Sequence, residues 1–148
     1  MRFLITAAPD PNTPKTDELP DNDTFVAAMR FNEEMHKAGV LVAAEGLNPA
    51  GAGARVVVDR GKRKVLDGPF AETKELVGGF YLIEVKSLAE AIAWAMRCPV
   101  GLGFDDVLTI HQMTEASDIP PEYLELIKKA APTWSATFTK KRNGIEST

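Results

Sequence analysis

The sequence predicts an α+β domain built on a ferredoxin-like, mostly antiparallel sheet with helices on one face and a C-terminal helical extension. Three observations lead there. The apolar-patterned segments run strand, helix, strand, hairpin pair, strand, helix, strand, helix, which is a split β-α-β order and not a strict β-α alternation. At 148 residues, 45% hydrophobic and 26% charged, the chain suits one folded domain with its own core. The run "FYLIEV" (80–85) is apolar at nearly every position, as in a strand covered on both faces. One cover is the helices; the other is expected to be a second copy, giving a homodimer of the dimeric α/β-barrel type with sheets packed face to face.

Each element has a local cause. "RFLITAA" (2–8) reads as a short buried strand, and the following "PDPNTPKTDELPDND" carries prolines that interrupt any regular element. That loop of about fifteen residues is long enough to suggest a lid or another functional segment. In "TFVAAMRFNEEMHKAGV", Phe25, Ala28, Phe31, Met35 and Ala38 recur at helical spacing, with Asp21, Asn22 or Asp23 able to cap the start and Gly39 able to end it. "VLVAAEGL" is the second strand. "RVVVD" and "KVL" flank "RGKR", a glycine-containing hairpin connection. Ser87 and Glu90 in "SLAE" form a capping box, Leu88, Ala91, Ile92, Ala95 and Met96 follow at helical spacing, and Pro99 stops the helix. "DVLTIHQM" supplies the last strand, and "DIPPEYLELIKKAAP" a helix with proline near its first turn. The expected division is a main domain over 1–114 and an extension of the same domain over 115–148.

Composition narrows the function classes. A formal net charge of −4 offers no basic field for phosphates, so nucleic acid is not the expected partner. A single cysteine, Cys98, forms no internal disulfide, and no apolar run is long enough to cross a bilayer. "MRFLITAAP" alternates like a strand and does not read as a signal peptide, so the expected setting is cytoplasmic. No HxxxH, HExxH or CxxC spacing supports a metal, and no GxGxxG, Walker or GxSxG pattern supports a nucleotide or a serine nucleophile. No cofactor is expected.

The segment "DGPFAETKELVGG" (67–79) concentrates the candidates. Pro69 fixes its own φ and pushes Gly68 toward an extended conformation, Asp67 can accept local N–H groups, and Phe70 suits a core anchor. Glu72, Lys74 and Glu75 crowd a stretch that adjoins an apolar strand. A carboxylate in such a place can exchange protons, and a lysine can hold an anion. Asp67 and Glu72 are therefore the candidate catalytic groups. Lys74 and Arg55 are candidate anion holders, Phe70 and Tyr81 candidate apolar walls, and His111 a further candidate binding group. Gly78 and Gly79 mark a bulge or a close backbone approach.

"DGPFAETKE", "GGFYLIEV" and "AIAWAMRCP", with "AGVLVAAEGLNP" upstream, resemble the YCII-related family and within it the branch marked by the DGPF motif. The resemblance covers most of residues 1–114. It implies a ferredoxin-like, usually dimeric fold whose members largely lack an assigned reaction. Some members carry a His-Asp pair regarded as the active site, and one relative is a dehydrochlorinase of a chlorinated aromatic. Asp67 matches the Asp, while the start of the first helix reads "DNDTFV" where the His is expected. His111 stands in the last strand where the branch often has Glu-x-Arg-Pro, and can replace its basic group. Two functions stay open, the first read from the residues and the second implied by the resemblance. One is an enzyme binding a small anionic or aromatic molecule and moving a proton; the other is a non-catalytic dimeric module associated with extracytoplasmic-function sigma factors.

Overall fold

The computed structural model describes residues 1–12, 18–48, 53–67, 78–102 and 105–138. Its elements are β1 (Arg2–Ala8), α1 (Asn22–Lys37), β2 (Leu41–Gly46), β3 (Ala54–Asp59), β4 (Lys62–Asp67), β5 (Gly79–Glu84), α2 (Leu88–Met96) and β6 (Val107–Gln112). A 3-10 turn (Ala116–Asp118), α3 (Pro121–Ala130) and α4 (Pro132–Ser135) follow. The structure is therefore α+β, as expected. Among the described residues, β2-β5-β1-β6 form one sheet whose neighbours are all antiparallel, and β3-β4 form a separate hairpin. Leaving out the hairpin, the order of strands is that of a ferredoxin-like β-α-β-β-α-β unit.

Burial along β1 alternates strictly, with Phe3, Ile5 and Ala7 inward. Register carries that alternation to both neighbours: Phe3 faces Ile83 and Gln112, Ile5 faces Tyr81 and Ile110, and Ala7 faces Gly79 and Leu108. Phe31 and Met35 of α1 and Ala91 of α2 pack onto this face with Phe3, Ile5 and Ile83. Each large apolar side chain taken fully from water here contributes about 1.5–3 kcal/mol.

The caps follow the sequence closely. Asp21 Oδ1 accepts from Thr24 N at 2.7 Å, and Ser87 Oγ accepts from Glu90 N at 3.1 Å. The Glu90 carboxylate reaches back to Lys86 N at 3.0 Å, one residue beyond the position an ordinary capping box uses. In the hairpin, Arg60 and Gly61 have φ of 51° and 77°, the paired left-handed residues of a type I′ turn.

One face prediction is corrected. The expected α2 stripe included Leu88, Ile92 and Met96, but these are 51%, 45% and 80% exposed. Ala91 and Ala95 of the expected stripe do turn to the core, joined there by Trp94 and Cys98. The helix is apolar almost all round, so spacing alone does not choose between its faces. Phe25, expected to extend the α1 stripe, is likewise exposed.

Two links orient these parts. Arg97 of the α2 C-cap pairs with Glu34 of α1 and lies 4.6 Å above the Trp94 ring. Arg2 Nε meets Glu115 Oε1 at 3.1 Å, and Met113 N donates to Arg2 O at 2.9 Å, fastening the start of the C-terminal segment to β1.

β2 and β5 approach so closely at Gly79 that a Cβ there would lie 2.8 Å from Glu45 O. That acceptor is backbone and cannot swing away. Gly79→Ala is expected to lower unfolding free energy in urea by about 1–3 kcal/mol. Gly46→Ala, where a Cβ meets nothing within 4 Å, should cost under about 1 kcal/mol. Equal losses in the two variants would refute the close-approach account.

Candidate functional site

The close approach at Gly79 opens a cavity beside it. Where β1 ends and β5 begins, the sheet, α1 and the α2–β6 connection enclose about 180 Å³. Ala28, Met29, Ala44, Pro99, Leu102 and Leu108 give it apolar walls. Asn32, Tyr81, Cys98 and Asp105 bring polar atoms to it, and Glu45 stands at its exposed rim. A shallower depression of about 420 Å³ lies at the other end of the sheet, near Met1, Gly39 and Lys86. Its Glu90 carboxylate is already engaged by Lys86 N, so the smaller cavity is the better-built site.

Asp105 is the most constrained group in it. The residue is 5% exposed, and its Oδ1 accepts from Leu102 N at 3.1 Å and Gly101 N at 3.4 Å. Gly101 has φ +115°, a conformation that glycine adopts freely and L side chains resist, and this lets the connection fold back onto the carboxylate. Oδ2 of Asp105 and Oδ1 of Asn32 are buried acceptors without a hydrogen-bond partner among the described residues. Such groups carry a desolvation cost that a ligand donor can relieve.

Tyr81 is fixed by packing. Its ring meets Phe31 edge-on at 6.0 Å, and Phe31 meets Trp94 at 6.2 Å. The Cys98 thiol lies 3.7 Å from Pro99 O, to which it donates. Burial, followed by the neighbouring Cys98 and Asp105, raises the Tyr81 phenol above its ordinary 10.0. Burial also raises Cys98 above 9.0, with the Tyr81 hydrogen bond opposing and Asp105 adding. Both groups therefore stay protonated near neutral pH.

The sequence candidates are distributed unevenly. Tyr81 lines the cavity. Arg55 lies on β3, opposite Leu66 of β4, and Asp67 ends β4 opposite Ala54. His111 is exposed on β6 opposite Leu4, on the sheet face turned away from α1 and α2. Glu72, Lys74 and Phe70 lie outside the described residues, as does part of the proline-rich loop. Sequence reasoning missed Asn32 and Asp105 and used Cys98 only to exclude an internal disulfide. A signal for Asn32 exists: it sits four residues after Ala28 on the packed side of α1. For Asp105 the signal is a glycine-containing turn just before an acidic residue that can accept N–H groups three and four positions back. Asp106 shares that signal, and its carboxylate serves a different end, accepting from Asp10 N at 2.9 Å.

Comparison with known proteins adds a family and two resemblances. The model of the YCII-related domain matches residues 1–113. An uncharacterized protein of Rhizobium meliloti (strain 1021) is 48% identical over 59 residues, 40% of this chain and 48% of that protein. The match thus spans about half of that relative's length. A 5-chloro-2-hydroxyhydroquinone dehydrochlorinase from Burkholderia phenoliruptrix AC1100, solved in complex with 2,5-dihydroxybenzoquinone, is similar at 16% identity. The alignment covers 81% of this chain and 100% of that one with a TM-score of 0.45.

The raised Tyr81 and Cys98 values give a pH test. Stability tied to their protonated forms is fully present below pH 9.0 and declines above it, because the unfolded chain gives up these protons at lower pH than the folded one. The melting temperature of the wild type should fall more steeply above pH 9.0 than that of a Tyr81→Phe, Cys98→Ser double variant. A difference between the two proteins that is constant with pH would contradict the assignment.

Proposed function

Because the chain belongs to the YCII-related domain family, which matches 113 of its residues, we propose that it binds a small single-ring molecule in the Gly79 cavity and moves a proton there through Asp105. The observation that carries this reading is the Asp105 carboxylate: one oxygen is held by two backbone N–H groups, and the other is buried and unpartnered beside apolar walls. A fixed acceptor within reach of a bound ring is the arrangement general base catalysis uses. The volume suits one ring, since an apolar cavity of about 150 Å³ in another protein admits benzene. Asn32 and the Tyr81 phenol orient the ligand, and Tyr81 stays neutral because burial keeps it so.

The expected homodimer is part of the same reading. Leu4, Thr6, Ala8, Leu82 and Val107 lie on the sheet face turned away from α1 and α2, half-buried or exposed. A second copy laid on this face would remove their apolar surface from water. The same reading takes the chain as a member of the DGPF-motif branch, with Asp67, Glu72 and Lys74 as further reacting or binding groups.

Native mass spectrometry of freshly purified protein should show a retained small molecule. Asp105→Asn should abolish turnover of that molecule while shifting stability by under about 1 kcal/mol, because the amide oxygen still accepts from Gly101 and Leu102. A molecule bound and released unchanged by both proteins would favour the regulatory module over the enzyme. In light scattering the wild type should have twice the chain mass and Leu82→Lys the mass of one chain. A wild-type monomer would remove the dimer from the reading.

A further inference from the structure

The polar groups of the cavity carry more information than its size, and the geometry points to the head group it takes: a planar, donor-bearing cation of the amidine type on a single ring, in preference to a carboxylate. This rests on the Gly79 cavity being the ligand site. Asp105 Oδ2 and Asn32 Oδ1 are both buried, both lack partners, and both residues line the same cavity. An acceptor shut off from water is completed by an N–H or O–H donor. Among the described residues no side chain supplies one to either oxygen.

Charge points the same way. Among the described lining residues the charged groups are Asp105 and Glu45, with no Lys, Arg or His. An anion would enter against a buried carboxylate and a second one at the rim, with no described countercharge to offset the cost of leaving water. A cation would meet both favourably. A phenol brings one O–H and leaves one of the two acceptors unpaired. An amidinium carries enough N–H groups for both acceptors and gains the added strength of a charge-assisted bond at Asp105. Its ring would rest on Ala28, Met29, Leu102 and Leu108.

Benzamidine, benzamide and benzoate share one shape while the head group passes from donor-bearing cation to neutral amide to anion. Each is titrated calorimetrically into the full chain, and protection of Cys98, the chain's one cysteine, from iodoacetamide reports whether the ligand occupies the cavity. The expected order is benzamidine, then benzamide, then benzoate, with at least about tenfold between first and last. Asp105→Asn should weaken benzamidine by about tenfold and benzamide by no more than about twofold. Asn32→Leu should weaken both, and with the wild-type series it decides the matter even if Asp105→Asn does not fold. Benzoate binding as tightly as benzamidine, with Cys98 protected, overturns the head-group class and leaves the cavity as a ligand site. No binding and no protection by any of the three overturns both.

Discussion

The double pairing of β1 is the constraint from which the remaining geometry follows. With β5 on one edge and β6 on the other, its alternation of Phe3, Ile5 and Ala7 fixes which side chains of both neighbours turn toward α1 and α2. A slip of one residue would send Tyr81 and Ile83 to the opposite face and dismantle the core cluster. Tyr81 stands over the cavity and His111 on the far side of the sheet because their partners, Ile5 and Leu4, point to opposite faces.

The cavity is a local exception within this frame. Along most of β1 the inward residues are large, but at its end Ala7 pairs with Gly79 and Leu108. Small residues at the junction leave space that Phe3 and Ile83 fill at the other end. The same glycine permits β2 to close in on β5, and the Gly101 turn brings Asp105 under the opening. A void and a buried carboxylate are each costly to a fold. Their coincidence in one place, with Asn32 adding a second unpaired acceptor, is the pattern of a site whose complement is a ligand.

The aromatic relay from Tyr81 through Phe31 to Trp94, finished by Arg97 and Glu34, ties the cavity wall to both helices. Tyr81 is held in place by this packing. The head-group preference proposed above rests on the buried Asp105 and Asn32 oxygens and on the apolar walls around them.

Much of the fold was legible in the sequence because the signals are local. The period of two in "RFLITAA", the Asp21 and Ser87 caps, the "RGKR" turn and Pro99 each act within a few residues and need no tertiary partner. Tyr81 is legible as a wall to the extent that it is an aromatic in a strand apolar at nearly every position. Asn32 and Asp105 are not, because an unpaired acceptor is a property of what surrounds it. Which face of α2 is buried was equally undecided by a helix apolar all round, and Asp105 and Asp106 look alike along the chain. The sequence by itself determined the order, type and ends of the elements. Only the tertiary structure decided which carboxylate is buried without a partner, because burial and hydrogen-bond satisfaction depend on contacts between residues as far apart as Asn32, Tyr81 and Asp105.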